Sequence, residues 1–244
     1  MPLENGATGC VAILFAASPP ESRDEEASLA MLTAAVEILQ ALSSSPGPDQ
    51  SALFFPDGPA PFLEPYGVLH AATGSERIFA PGQIVDVEGL QFDDSLRVEV
   101  DGIPAEILDG TPTRIRAVLP DSLAPNRTAL LRVFTRNGGS REVKLSVAES
   151  APGLFQTVLN GDGSINSENT PATLGSWLLC FSTGLGAGEA ELLVHDAPTA
   201  AVRVAVRPGL ELVRFRIPAS VSAAGPVPLR FRGEAGKGAQ AFVK

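Results

Sequence analysis

The stretch RAVLPDSLAPNRTALLRV, residues 116–133, lies without a gap over RFRIPASVSAAGPVPLRF, residues 214–231, when Pro120 is set on Pro218. Arg116 then meets Arg214, Ser122 meets Ser220, Leu131 meets Leu229 and Arg132 meets Arg230. Each copy reads as a strand, a proline-led turn and a second strand. Working outward with small shifts, Gly82-Gln-Ile-Val matches Gly175-Ser-Trp-Leu, Gly89-Leu90 matches Gly184-Leu185, and Pro104 matches Pro198. Two tandem copies of one β-domain are the economical explanation.

The strands of the first copy alternate apolar and polar residues, the period of a sheet with one buried face. They are Gln83–Gly89 (QIVDVEG), Leu96–Val100, Ile103–Leu108, Arg114–Leu119, Ala129–Arg136 and Arg141–Val147, each bounded by Gly, Pro, Asp or Asn. Six short strands in so small a span predict a sandwich. Composition agrees: the 244 residues include 24 glycines and 21 prolines but only 6% aromatics, the balance of many short strands joined by punctuated turns. The expected fold class is mainly β, two immunoglobulin-like sandwiches over residues 66–149 and 150–244, with a short helical extension in front.

Residues 1–65 differ in kind. They hold nine acids (Glu4, Glu21, Asp24, Glu25, Glu26, Glu37, Asp49, Asp57 and Glu64) against Arg23 alone, and so carry most of the net charge of −10. Ser22-Arg-Asp-Glu25 has capping-box spacing, and Leu29, Leu32, Val36, Leu39 and Leu42 recur at helical intervals, which predicts an amphipathic helix over 23–43. Cys10–Ala17 reads as a short strand, and Pro46–Pro65 as a proline-rich linker. The apolar run CVAILFAA follows Glu4 and no base, which fits a secretory signal poorly. No segment is long enough to span a membrane as a helix. Overall acidity without a lysine-rich cluster excludes nonspecific nucleic-acid binding.

The motifs that could carry chemistry mostly resolve into turns. Asn160, Asp162, Ser164 and Asn166 alternate oxygen side chains about Gly163, the pattern of a calcium loop, but only Asp162 is a carboxylate in register. A turn whose Asn, Asp and Ser side chains bond their own backbone is expected, and no metal site. Gly184-Leu-Gly186-Ala-Gly188 leads into another alternating strand, AELLVHD, and not into the helix a dinucleotide site requires. The histidines are His70 and His195; His195-Asp196 stands where the first copy has the turn Asp101-Gly102, so it reads as a hairpin residue and not as the base of a triad. Asp93-Asp94 read as solvated loop charges. Cys10 and Cys180 are too few for a disulfide framework and read as small core residues. No catalytic residue, cofactor or metal ligand is assigned.

Arginine is the less neutral feature. Arg214 and Arg216 share one strand face and Arg230 and Arg232 share another; with Arg203 and Arg207 they could form a basic stripe for an acidic partner. The acidic residues 21–26 of the same chain are one such partner, docked from the N-terminal helix. The bland alternative is a solvated sheet face with long side-chain stems over apolar surface.

APGQIVDVEGLQF (80–92), VEVDGIPAEIL (98–108) and RIRAVLPDSL (114–123) resemble strands of IPT/TIG domains, which are immunoglobulin-like sandwiches. HAATGSERIFAPG (70–82), DGSINSENTPATLGS (162–176) and FSTGLG (181–186) together resemble the uncharacterised C-terminal domain family of Solibacter-type bacteria. That resemblance spans about residues 66–244 and implies an appendage of exported, multidomain bacterial proteins, secreted or at the cell surface, with no catalytic residues to carry over. The function expected is a non-catalytic binding, adhesion or spacer module meeting protein or glycan. The alternatives are an accessory fragment of a truncated exported hydrolase and a carbohydrate-binding module.

Overall fold

The computed structural model describes residues 60–186, 191–221, 224–234 and 238–244. The expected strand at 10–17, the helix at 23–43 and Cys10 lie outside them. Every named element is a strand, and no helix of the described residues is long and apolar enough to cross a membrane.

The first half layers two antiparallel sheets. One runs in the order β1 (Phe62–His70), β2 (Ile84–Leu90), β6 (Arg114–Val118), β5 (Glu106–Gly110). The other runs β4 (Ile103–Pro104), β3 (Arg97–Val100), β7 (Arg127–Thr135), β8 (Gly138–Gly139), with β9 (Val143–Val147) also paired to β7. Their inward residues, among them Val85, Val87, Ile115, Val98, Leu131 and Leu145, form one buried cluster.

The second half repeats the order. β10 (Gly153–Asn160), β11 (Trp177–Thr183), β15 (Leu210–Arg216) and β14 (Ala201–Arg207) make one sheet. β13 (Ala197–Thr199), β12 (Leu192–Val194), β16 (Gly225–Phe231) and β17 (Ala239–Val243) make the other. Leu154, Leu178, Val213, Phe215, Leu229 and Phe231 are in its core.

The repeat read from sequence is also a repeat of register. Ile84 lies opposite Val118, Asp86 opposite Arg116 and Glu88 opposite Arg114. Their counterparts Trp177, Leu179 and Phe181 lie opposite Arg216, Arg214 and Leu212. The hairpins agree too: Asp101-Gly102 (φ 52° and 78°) joins β3 to β4, and His195-Asp196 (φ 47° and 67°) joins β12 to β13. Positive φ at both central residues is the turn whose twist matches a tight hairpin.

One boundary moves. Residues up to 65 were expected to be linker, yet β1 begins at Phe62, with Phe62 opposite Leu90 and Leu63 opposite Gly89. Pro65 is accommodated because the pairing breaks into a bulge between Leu63 and Val68, the place where an edge strand tolerates proline.

Candidate functional site

The alternation of a strand gives each sheet a second face, and in these two halves that face has opposite character. On the first half it carries Glu64, Asp86, Glu88, Arg114 and Arg116. At the matching positions the second half has Phe155, Leu179, Phe181, Leu212 and Arg214. The apolar version is covered by the first half. Phe155, Leu159, Leu179, Phe181 and Leu210 are buried in one cluster with Ala72, Ile84 and Val118, a third core that joins the two sandwiches.

Polar groups lock this seam. The Ile84 amide, which has no ladder partner on that side, donates to Thr183 Oγ1 at 2.8 Å. His70 Nδ1 accepts from the amides of Ala72 (3.2 Å) and Thr73 (3.4 Å), so the ring proton resides on Nε2 and is donated to the Ala151 carbonyl at 2.9 Å. Burial pulls the imidazole pKa below its ordinary value, against the opposing pull of the Ala151 carbonyl and Asp86. His70 is thus a neutral clasp between β1 and the strand connection at 148–152.

Glycine is required where the connection crosses. Gly184 has φ +75°, and a Cβ there would lie 2.1 Å from the Ala151 carbonyl oxygen, whose residue in turn bonds Gly184 O through its amide at 2.8 Å. The Gly-Leu-Gly motif therefore serves close backbone approach, and the strand β12 comes next among the described elements. Beside the seam a cleft of about 330 Å³ opens between Gly82 and Asp121 on one side and Gly184, Arg207 and Glu211 on the other.

The six arginines of the expected basic stripe are not brought together. Arg203 makes two 2.8 Å bonds to Glu211 and a 3.0 Å bond to the Gly186 carbonyl. Arg207 is half-buried on the cleft. Arg230 and Arg232 belong to the opposite sheet and the turn after it, paired with Asp196 and Glu191 respectively. Arg214 and Arg216 do converge: their guanidinium carbons stand 4.2 and 4.6 Å from the ring centre of half-buried Trp177. Neither forms an ion pair with a described carboxylate. Sequence reading grouped the arginines by type and missed Trp177 as the residue that organises two of them; its place on the same face of the neighbouring strand was the available signal.

The polar loop before β11 is a self-bonded turn, as expected. Ser164 donates through its amide (3.0 Å) and hydroxyl (2.7 Å) to Asp162, while Asn160 bonds Ser164 Oγ and the Thr170 carbonyl. Asn166 ties the turn to β17 through the Phe242 carbonyl at 2.9 Å. The two serine bonds hold the Asp162 carboxyl below its usual range. Among the described residues no group of three His, Cys, Asp or Glu is placed to hold a metal ion.

Asp93 differs from its expected solvated state. It is buried, accepts from Ser95 N (2.9 Å), Ser95 Oγ (2.6 Å) and Arg136 Nε (3.2 Å), and anchors the turn between β2 and β3. Burial raises its pKa, but the serine and arginine contacts outweigh that and leave it lowered. Cys180 is fully buried in the second core, and burial pushes its thiol pKa far up. An inert core thiol follows.

No family model matches the chain, and no curated protein does. Among solved structures, it is similar to a surface glycan-binding protein of a mixed-linkage glucan utilization locus of Bacteroides ovatus, with 11% identity, a TM-score of 0.38 and coverage of 78% of this chain and 46% of that one. It is similar to a surface glycan-binding protein from Prevotella bryantii at 11% identity and TM-score 0.31, covering 75% and 42% of the two chains. For the γ-cyclodextrin glucanotransferase of Bacillus clarkii the values are 13%, 0.30, 77% and 26%. This chain spans less than half the length of each. At such values the resemblance carries no information on ligand or activity.

Proposed function

We propose that the chain is a non-catalytic binding and spacer module of a bacterial surface or secreted protein, built as two tandem immunoglobulin-like sandwiches of the IPT/TIG kind. The seam carries this reading: a shared apolar cluster, the Ile84 to Thr183 bond and the His70 clasp fix one half on the other. A jointed pair would leave the outer face of β10, β11, β15 and β14 wet, and Phe155, Leu179 and Phe181 there would be unfavourable. Fixed orientation is what a spacer needs in order to hold whatever it carries at a set distance and angle.

The histidines support the non-catalytic half of the proposal. Both nitrogens of His70 are committed to backbone partners, and His195 occupies a left-handed hairpin position set by the turn. The family resemblance of the sequence motifs supports the exported setting. A carbohydrate-binding reading has one favouring observation, the exposed pair Phe62 and Tyr66 on β1, of which Tyr66 is 74% accessible. Exposed aromatic rings are the usual platform for a sugar face.

The test combines small-angle scattering with a binding and turnover screen of the full chain. The proposal expects a scattering curve that fits one fixed arrangement of the halves, saturable binding to bacterial envelope fractions, and no turnover of ester, glycoside or phosphate substrates. Turnover that disappears in His195→Ala, or scattering that demands a hinged ensemble, would overturn it. Glycan-array binding lost in Tyr66→Ala would move the assignment to the carbohydrate-binding reading.

A further inference from the structure

The repeat predicts more than one use of the seam. Within the chain, the first half contributes the pole formed by Gly82, Ile84 and Val118, with Pro81 lining the cleft beside it, and the second half contributes a receiving face with Phe155 and Phe181. By register, that pole corresponds in the second half to Leu174, Gly175, Trp177 and Arg216, and the receiving face corresponds in the first half to Glu64 and Glu88. These two surfaces have no counterpart to meet within the described chain.

Their chemistry is complementary. The free pole has Leu174 46% accessible, Trp177 half-buried, and the cations Arg214 and Arg216 stacked on it without a carboxylate partner among the described residues. Val202, 57% accessible, lies opposite Arg214 on the next strand and extends the apolar part. The free receiving face has Glu64 exposed and Glu88 half-buried, neither in an ion pair with a described base, with exposed Phe62, Tyr66 and Leu90 around them, while Arg114 and Arg116 on the same face are taken up by Asp86. Three other arginines of this half, Arg203, Arg230 and Arg232, each have their own carboxylate. A cation pair on one pole and an acid pair on the other, neither in an ion pair among the described residues and both at positions equivalent to an existing interface, define a matched set.

We infer that the pole of the second sandwich, Trp177 with Arg214 and Arg216, docks on the outer face of the first sandwich of a second copy of this chain, at Glu64 and Glu88. The contact repeats the internal seam with charge in place of apolar burial. It is heterologous, so docked copies add head to tail, in an open row or, where the rotation between copies closes, in a ring. Because the charges are at the surface, the contact weakens as salt shortens the screening length. It is reversible where the internal seam is permanent.

The experiment is sedimentation velocity on the full chain over a concentration series, at ionic strengths of about 0.02 and about 0.5 M. The expected result is a weight-average mass that rises with concentration at low salt and returns to the monomer at high salt. Arg214→Glu with Arg216→Glu weakens self-association by about tenfold or more, as does Glu64→Arg with Glu88→Arg. Mixing the two charge-reversed proteins restores association beyond a dimer, because the native pole of the acid-reversed protein meets the native face of the other while the reversed pole meets the reversed face, so the two alternate along one row. A monomer at every concentration in low salt overturns the inference. So does association that ignores both reversals, or loss in each variant without recovery in the mixture; association lost on reversing the arginines but kept on reversing the acids also overturns it, and would point to another acidic occupant of the pole, such as residues 21–26 of the chain. Unchanged circular dichroism in each variant shows that these surface substitutions leave the fold intact.

Discussion

Consider His70→Phe. Phenylalanine keeps an aromatic ring and is somewhat larger, so the change removes three polar contacts without opening a cavity: the Nε2–H bond to the Ala151 carbonyl at 2.9 Å and the Nδ1 acceptance from Ala72 and Thr73 at 3.2 and 3.4 Å. His70 and Ala151 are both buried, so the carbonyl loses its partner without water to replace it. Leaving one buried group unsatisfied costs about 1 to 3 kcal/mol, and the two longer amide contacts add less, so a loss of about 3 kcal/mol at neutral pH is expected. The pH dependence is the sharper signature. Folding lowers the imidazole pKa below its ordinary 6.5, so on the acidic side of that value the unfolded chain binds more protons than the native one. Native stability from this group is therefore present above pH 6.5 and is lost as pH falls through the folded value. Protonation also puts a hydrogen on Nδ1 facing two amide donors. Urea unfolding followed by Trp177 fluorescence, at intervals from pH 7.5 down to pH 5, measures the difference between the two proteins. That difference should shrink on acidification, because only the wild type has this stabilisation to lose. A constant difference across the range would refute the neutral-clasp assignment.

Three further outcomes follow from the same geometry. Phe181→Ala removes a buried ring from the seam, a change that costs about 3 to 5 kcal/mol in a core that cannot yield; calorimetry should show one coupled transition splitting into two, and a single unshifted transition would mean that the halves do not stabilise each other. Gly184→Ala places a Cβ against the Ala151 carbonyl at a positive φ and should cost more than about 2 kcal/mol, whereas Gly233→Ala, with φ +80° and open space around it, should cost only the backbone strain of about 1 kcal/mol. Glu234 accepts the amides of Leu154 (3.1 Å) and Phe231, yet burial outweighs those bonds and pushes its pKa up to about 7. A raised carboxyl favours the fold below its unfolded value of 4.5 and loses that contribution as pH climbs through about 7. Glu234→Gln should flatten this decline in stability between pH 5 and 8, measured by urea unfolding; an unchanged slope would show that the carboxyl is ionised throughout.

Much of the architecture was legible because it rests on local periodicity and on duplication. Alternation marks strands whatever they pack on, and setting Pro120 on Pro218 aligned two strands whose cross-strand partners proved equivalent. The hairpin role of His195 followed in the same way from Asp101-Gly102. What pairwise register could not convey was which outer face is dry. Leu179 and Phe181 alternate with core residues in a run, Trp177–Thr183, that is apolar on both faces, and the comparison with Asp86 and Glu88 held the explanation: charge had been exchanged for apolar surface where a neighbour covers it. The clasp role of His70 was not legible, since a buried histidine bonded to distant backbone leaves no mark in sequence spacing. The arginine stripe failed for a related reason. Residues 214–216 and 230–232 are close in sequence and alternate alike, but the chain passes from one sheet to the other between them.

The unequal faces of the seam also give the chain an order of assembly. As it emerges from the ribosome, the first sandwich can close with Asp86 already held by Arg114 and Arg116, leaving at its pole the small apolar patch of Ala71, Ala72, Ile84, Leu108 and Val118. The second sandwich, were it to appear first, would present Phe155, Leu159, Leu179, Phe181 and Leu210 together to water, a surface prone to capture by any other exposed apolar patch. Synthesis from the N-terminal side means that the cover for this face is folded and tethered a few residues away before the face itself exists. The direction of translation thus protects the more vulnerable half, and a circular permutant that begins at residue 150 should express with far more aggregate than the native order.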